Sequence, residues 1–141
     1  MFITENDLYS KIRASDLRQI AGDDTTIIQH AISSSVGLVR SKIDATKYDV
    51  QRIFDAAGEQ REGLLVSICV DVAIYEIVGI AQPNIDLTDR RERHNQALAY
   101  LDEVRDRNLP TGWPLLPEDP NTTPDSAPVV AGGNPPRNNY F

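Results

Sequence analysis

The feature that most constrains this chain is a single long apolar run at residues 61–81, REGLLVSICVDVAIYEIVGIA. As a helix, the run would be apolar over most of its circumference, with a line of small or polar side chains at every fourth position. The members of that line are Gly63, Ser67, Asp71, Tyr75 and Gly79. The run is far too long for a strand and contains no turn signals. We therefore predict a central helix, which three or more other helices or neighbouring subunits must cover.

A membrane-spanning helix is the competing interpretation of this run, because about 20 apolar residues cross a bilayer. Asp71 lies near the middle of the run, where an acidic residue costs about 2.5 to 3.5 kcal/mol on insertion, and Glu76 adds a further penalty. Neither end carries the aromatic and basic residues that anchor a spanning segment. We expect a buried helix in a protein that does not enter a membrane.

Length and composition limit the chain to one small domain. Its 141 residues, of which 40% are hydrophobic, can bury one core rather than two. The first residues include Glu5 and Asp7 and no apolar segment of signal-peptide length, so we expect the protein in the cytosol or in a particle assembled there. Cys69 is the single cysteine, which leaves no internal disulfide and is expected to be a small buried side chain.

The formal net charge of -7 bears on nucleic-acid binding. Proteins that wrap DNA neutralise its phosphates with a basic surface, which this composition does not favour. The most basic stretch, residues 89–94 (DRRERH), interleaves acids with its arginines, so we interpret it as a solvated or subunit-facing helix surface. We expect no sequence-specific nucleic-acid binding, while an acidic surface remains compatible with DNA that passes without sticking.

Capping residues and apolar periodicity predict an all-α fold, a compact bundle of about four to five helices around the central one. A first short helix follows Thr4, with Asp7 completing a capping box. Ser15 is the expected cap of a second helix over residues 16–21, which Gly22 closes in a left-handed conformation.

A long third helix is predicted from about Thr25 to Asp44, capped by Asp23 or Asp24. Its apolar stripe consists of Ile28, Ile32, Ser35, Val36, Val39 and Ile43. Residues 45–58, between this helix and the central one, form either a short helix or a packed loop.

The last predicted helix opens at Asp86 or Thr88 and runs to about Arg107, where Pro110 and Gly112 stop it. Its buried stripe consists of His94, Ala97, Leu98, Leu101 and Val104. For His94 on this stripe, we expect a hydrogen-bonded core histidine rather than a functional one.

The composition changes abruptly near the last helix's end. Seven of the nine prolines lie in residues 113–141, together with glycines and several asparagines. Such a segment cannot bury enough apolar surface to fold alone. We therefore divide the chain into a helical domain, residues 1–112, and a C-terminal arm, residues 113–141, which is disordered or ordered by a partner. The candidate contacts of this arm are Trp113, Tyr140 and Phe141.

The usual sequence motifs of catalysis, cofactor binding and metal binding are missing. His30 and His94 lie on different predicted helices without the spacing of a metal site, and no serine stands in a nucleophile-elbow sequence. The Gly132-Gly133 stretch lacks the lysine of a phosphate loop. We predict a protein that is not an enzyme and that takes no metal and no cofactor.

Asp71 is the residue of the apolar run that most needs a partner, because an isolated buried charge is costly. An arginine on the last helix is the expected partner. We name Arg91 or Arg93, either in this chain or in a neighbouring copy.

Three stretches carry a family resemblance. They are FITENDLYSKI at residues 2–12, DVAIY at residues 71–75, and the pattern Arg93-His94-x-x-Ala97-x-x-x-Leu101-x-x-Val104. Together they resemble the small Mu-like prophage proteins of the head-tail connector class, over roughly residues 1–109. Val72 stands where the family pattern has isoleucine, and His94 where it has tyrosine. Residues 44–58 replace a short arginine-tyrosine turn ending in proline that many members carry.

The resemblance implies a helical adaptor that assembles as a ring beneath the portal, in the neck of a tailed phage. Its partners would be further copies of the chain, the portal and the tail-completion proteins. It would reside in the virion after assembly in the bacterial cytoplasm, with DNA passing through the ring lumen. Asp71, Tyr75, Arg91 and Arg93 are then candidate structural or interface residues.

Two other hypotheses remain open from the sequence. One is a non-viral helical interaction module, whose proline-rich tail is the ligand of another domain. The other is a small hydrolase or nuclease, in which substitution of Asp71 would abolish turnover without unfolding the protein. We expect Asp71→Ala to lower stability or assembly instead.

Overall fold

The computed structural model describes residues 1–81 and 86–117, and these form an all-α fold, as predicted. The helices are α1 (Glu5–Leu8), α2 (Ala14–Ala21), α3 (Thr25–Ser41), α4 (Val50–Asp55), α5 (Gly63–Ala81) and α6 (Thr88–Arg107). A single 3-10 turn, Gly58–Gln60, precedes α5. In the described ranges the only β-type pairing is an isolated antiparallel bridge between Tyr48 and Leu115.

The central helix α5 is covered by its own chain. It packs most extensively against α3 and α6, and also against α1 and α2. Around its middle, side chains pointing in different directions are all at most 1% exposed, including Cys69, Val70, Ala73 and Ile74. The prediction that at least three helices must surround this run is confirmed. Burial of a valine or isoleucine side chain at such a position contributes about 1.5 to 3 kcal/mol before the entropy of ordering is subtracted.

α5 is also, within the described residues, the one helix long and apolar enough to cross a membrane by length and composition. Its window Gly63–Ile80 has a mean hydropathy of 2.0 and is 50% buried. The core helix of a soluble protein meets the same criteria. Leu64 and Ile80, near the two ends of α5, are its exposed large apolar side chains.

Of the three signals predicted for the ends of α1 and α2, two are confirmed. Asp7 accepts a hydrogen bond from the backbone N–H of Thr4 at 2.7 Å, which completes the predicted capping box. Gly22 closes α2 with a φ of 64°, in the half of the map that favours glycine. The prediction that Ser15 caps α2 is wrong: α2 begins at Ala14, because the carbonyl of Arg13 already accepts the first helical hydrogen bond, from the N–H of Leu17.

α3 begins as predicted, since the Asp24 carboxylate accepts a hydrogen bond from the N–H of Thr26 at 2.9 Å. It ends at Ser41, three residues before the predicted end at Asp44. The Asp44 carboxylate instead accepts two hydrogen bonds from Thr46, which fixes a turn that cannot continue the helix. The predicted stripe is buried, except that Val36 is only partly covered.

Residues 45–58, for which a short helix or a packed loop was predicted, contain both. A turn buries Tyr48, and α4 follows it with Asp49 as a cap that accepts from the N–H of Arg52. Phe54 of α4 lies against Phe2, with ring centroids 4.8 Å apart. This contact joins the N-terminal residues to the segment that precedes α5.

α6 begins at Thr88, one of the two predicted starts, and the Asp86 carboxylate accepts hydrogen bonds from the Thr88 N–H and hydroxyl. Ala97, Leu101 and Val104 form its buried stripe. Leu98 and His94 on the same side are only half-buried.

The folded part extends past the predicted domain boundary at residue 112. Trp113 is only 4% exposed and lies edge-on against Tyr48, with ring centroids 5.1 Å apart. The carbonyl of Pro114 accepts from the N–H of Asp49 at 2.9 Å, and the N–H of Leu116 donates to the carbonyl of Lys47 at 3.0 Å. Residues 113–116 are therefore anchored on the turn before α4, and Trp113 is buried within the chain instead of awaiting a partner. The predicted contacts Tyr140 and Phe141 lie outside the described residues.

Candidate functional site

The polar line of α5 meets a lysine from the N-terminal region. Lys11 Nζ lies 2.7 Å from Oδ2 of Asp71 and donates to the Ser67 hydroxyl at 2.7 Å and to the Ser67 carbonyl at 3.3 Å. The lysine and aspartate side chains are 22% and 13% exposed, so water reaches the pair only from one side. Three charge-assisted contacts of this kind hold the turn after α1 against the middle of α5.

The position of Lys11 follows from its neighbours in the chain. The N–H groups of Lys11 and Ile12 both donate to the carbonyl of Leu8, which winds the end of α1 into a tight turn. Leu8 and Ile12 are buried, so the lysine between them is directed along the surface of α5. The guanidinium of Arg90 also donates to the Lys11 carbonyl at 3.3 Å. Lys11 thus links α1, α5 and α6.

The prediction that Arg91 or Arg93 of the same chain pairs with Asp71 is wrong. Arg91 and Arg93 are exposed on α6, and Lys11 occupies the position that we expected one of them to fill. The reason is packing: Asp71 and Ser67 face the turn after α1, whereas both arginines face solvent. One signal was available in the sequence, since Lys11 is the only basic residue among the first twelve.

The second carboxylate oxygen of Asp71 has no visible partner. Oδ1 is buried and makes no hydrogen bond to any residue in the described part of the chain. A buried acceptor left unpaired costs about 1 to 3 kcal/mol. The pair with Lys11 must offset this cost, so Asp71 contributes less to stability than its short contact with the lysine suggests.

Tyr75, one turn after Asp71, contacts α6 through an aromatic pair. Its ring lies 4.4 Å from the ring of His94, with 32° between the two planes. His94 is half-buried, and its Nδ1 is 3.2 Å from the side-chain oxygen of Asn95. The structure therefore uses neighbouring turns of α5 for two different contacts, Asp71 with Lys11 and Tyr75 with His94. At the position where the family pattern has tyrosine, His94 thus supplies an aromatic ring that stacks on Tyr75.

A second charged bridge was missed by the sequence analysis. Arg61, two residues before α5, donates to both oxygens of Asp7 at 2.8 and 3.1 Å and to the Phe2 carbonyl at 2.9 Å. The hydrogen bonds from Arg61 are the main cause of a lowered pKa at Asp7 and also raise the pKa of Arg61. Asp7 thus caps α1 and anchors it to the start of α5. Only its role as a cap could be read from neighbouring residues.

The described residues offer little chemistry beyond these contacts. Across residues 1–81 and 86–117, no three His, Cys, Asp or Glu side chains are grouped so that they could hold a metal ion. Burial raises the pKa of Cys69 to about 12, so its thiol stays protonated and unreactive at neutral pH. The polar side chains singled out on α5 serve contacts between helices. The absence of catalysis and of cofactors stays a prediction.

Comparison with known proteins identifies the family. The sequence model of the family described as Bacteriophage Mu, Gp36 matches residues 2–130. The chain belongs to this family. Neither the curated proteins nor the solved structures contain a match to it. Membership of the Gp36 family confirms a phage protein, as the resemblance implied, and the match extends beyond residue 109 into the proline-rich segment.

Proposed function

We propose that this Gp36-family protein is a structural subunit of the phage head-tail connector, which assembles as a ring between the portal and the tail. The observation that carries the proposal is the family match over residues 2–130. The geometry supports it, because the polar residues of the central helix are used in joining α1, α5 and α6. A subunit of this kind acts by its shape and its surfaces.

The charge of the chain suits a ring through which DNA passes. A net charge of -7 gives an acidic subunit, and an acidic lumen would repel the phosphate backbone. The exposed surface of α6 alternates arginines with aspartates and glutamates, as in residues 89–93. Alternating charge of this kind suits a contact between subunits better than a surface that grips DNA.

The partners of the ring would be the portal above it and the tail-completion proteins below it. The proline-rich arm, with Tyr140 and Phe141 as its aromatic contacts, is the segment proposed to reach a neighbour. Its folded base is the anchored stretch at Trp113. The phage family favours this role over the non-viral interaction module, although both would use the arm as a ligand.

The proposal is tested by deleting the gene from the phage and examining the particles by electron microscopy. We expect DNA-filled heads and separate tails, and we expect wild-type protein supplied in trans to restore joined particles. In restored particles, density for the protein should lie at the neck. Arg107→Ala, which removes an exposed pair with Glu103, serves as a neutral control and should restore joining fully.

Two results would contradict the proposal. One is a deletion phage that joins its heads and tails as well as the wild type. The other is density for the protein at a place in the particle away from the neck, or its absence from purified particles.

A further inference from the structure

Two ends of the molecule carry surfaces of opposite character. The first is a groove, of about 380 Å³, between α2, α5 and the start of α6. Its apolar floor is formed by Ile12, Ile20 and Val78, and three carboxylates line its rim, with Arg90 offsetting one of their charges. The carboxylates are those of Asp16, Asp86 and Asp89. We call this surface the acidic groove. Its rim residues are all exposed, so their charge is available to a partner.

The second surface is built on the anchored stretch after α6. Leu115 and Leu116 are 61% and 44% exposed, although the backbone of this stretch is fixed by hydrogen bonds to the Lys47–Asp49 turn. Lys47 lies beside them and lines one pocket together with Lys42 and Arg105, and Asp44 in the same pocket offsets one of the three positive charges. We call Lys47, Arg105, Leu115 and Leu116 the basic edge. It combines two exposed leucines on an anchored backbone with a net positive charge.

The two surfaces lie at opposite ends of the α5–α6 pair. Tyr75 stacks on His94, while Val78 lines the groove with Arg90, so the two helices run antiparallel. The acidic groove is therefore beside the start of α6, and the basic edge is beside its end. α6 has 20 residues and therefore spans about 30 Å at 1.5 Å per residue. One subunit cannot bring its own edge into its own groove.

We propose that the basic edge of one copy docks in the acidic groove of the next copy, in a head-to-tail contact. Leu115 and Leu116 would cover the apolar floor, while Lys47 and Arg105 would face the carboxylates of the rim. A contact between two different surfaces repeats around an axis and closes into a ring when the rotation allows it. This inference rests on the proposed function, because it names the contact that would build the connector ring.

The charges favour this pairing over the symmetric alternatives. Two grooves facing each other would oppose six carboxylates with only two arginines among them. Two basic edges facing each other would oppose six lysine and arginine side chains of the pocket with only two carboxylates among them. Like charges placed against each other cost several kcal/mol at an interface. Groove against edge is the arrangement that brings opposite charges together and covers apolar surface on both sides.

The contact is tested with charge reversals in the full-length chain, supplied in trans to the deletion phage. The variants are Asp89→Lys in the groove, Arg105→Glu on the edge, and both together. The control is Asp23→Lys, which makes the same change in charge on the other side of α2. Thermal unfolding of each purified variant checks that the fold is kept, and the amount of protein per particle is measured relative to the portal.

We expect each single reversal to lower the protein per particle by about tenfold or more, because like charges then meet at every contact of the ring. The double variant should recover to within about twofold of wild type, since the opposite charges are restored with their positions exchanged. The Asp23→Lys control should match wild type.

Each other outcome is decisive. Single variants that enter particles normally would overturn the contact while leaving the connector role intact. Loss in both single variants without recovery in the double variant would show that each surface binds something else. Absence of the wild-type protein from particles would instead overturn the proposed function itself.

Discussion

Asp71 lies where the central helix meets the turn after α1, and its two carboxylate oxygens have different surroundings. Oδ2 is 2.7 Å from the Lys11 ammonium, while Oδ1 is buried without a hydrogen bond from the described residues. A fully exposed pair contributes about 0 to 1 kcal/mol, whereas removing one partner of a buried pair costs about 3 to 5 kcal/mol. Partial burial and an unpaired oxygen place the Lys11–Asp71 pair between these limits.

Substituting Asp71 therefore has a defined cost. We expect Asp71→Ala to lower the free energy of unfolding by about 1.5 to 3 kcal/mol, the range for a hydrogen bond to a charged group. Lys11→Ala should have a similar effect, and the double variant should be less than additive because the two residues share one interaction. Urea unfolding measures all three. The control cycle is Lys42 with Asp102, whose aspartate is 54% exposed and whose coupling should stay below about 1 kcal/mol. An unchanged unfolding curve for Asp71→Ala would refute this account.

Asp7 makes the free energy of unfolding depend on pH in the acidic range. The pKa of Asp7 is lowered in the folded protein, chiefly because Arg61 donates to its carboxylate, so the folded state binds this proton less readily than the unfolded state does. The resulting stabilisation is complete above the unfolded pKa and is lost as pH falls through the lower folded pKa. Unfolding free energies measured from about pH 6 down to about pH 2.5 should fall below about pH 4.

Asp7→Asn should reduce that fall without abolishing it. The pKa values of Asp44 and Asp86 are also lowered, by hydrogen bonds from Thr46 and Thr88, and both residues remain in the variant. The variant should be less stable than wild type at neutral pH, and the difference between the two should narrow as the pH falls. A difference that is constant with pH would show that the Arg61 contact does not act on the charged form of Asp7.

At the scale of elements, α5 obtains its cover from helices both before and after it in the chain, and the last described residues complete the other end of the core. Trp113 closes the space between Tyr48 and the end of α6, where Leu101 and Val104 line the same pocket. The backbone hydrogen bonds of Pro114 and Leu116 hold this stretch against the turn before α4. Among the described residues, Trp113 thus closes the C-terminal end of the core.

Trp113→Ala should destabilise the domain by about 3 to 5 kcal/mol, the usual cost of removing a large aromatic side chain from a core. It should also expose residues 113–117 to proteolysis, because their anchor is lost. Leu115→Ala is the matched control, since a side chain that is 61% exposed should change stability by no more than about 0.5 kcal/mol. Equal effects of the two variants would contradict the burial of Trp113.

The elements that sequence predicted well are those that neighbouring residues determine. Asp24 caps α3 and the Asp7 box caps α1, through hydrogen bonds across two or three residues. Lys11 with Asp71 and Arg61 with Asp7 are separated by 60 and 54 residues, so their pairing depends on how the helices pack. Trp113 was assigned to the arm because prolines dominate the residues after it. Composition averages over a segment and cannot show that its first aromatic side chain is buried.

At the scale of the whole molecule, the arm can now be separated from the fold more cleanly. Truncation after residue 112 removes Trp113 and should lower the free energy of unfolding by about 3 to 5 kcal/mol. Truncation after residue 117 keeps Trp113, Pro114 and Leu116 with their contacts, and should be more stable than the truncation after residue 112 by about the same amount. Denaturant unfolding compares the two. If the arm binds a neighbour, the protein that ends at residue 117 should be stable yet poorly incorporated into particles. Normal incorporation of this variant would show that residues 118–141 are dispensable.

The coverage of α5 by its own chain also affects the timing of assembly. A subunit that needs neighbours to bury its central helix would be unfolded, or aggregated, until those neighbours arrived. Here four helices of the same chain do that work, so each copy is ready before it meets another. If the protein is the connector subunit proposed above, finished copies can accumulate before the connector is built, and joining them then requires contacts between surfaces and no folding step.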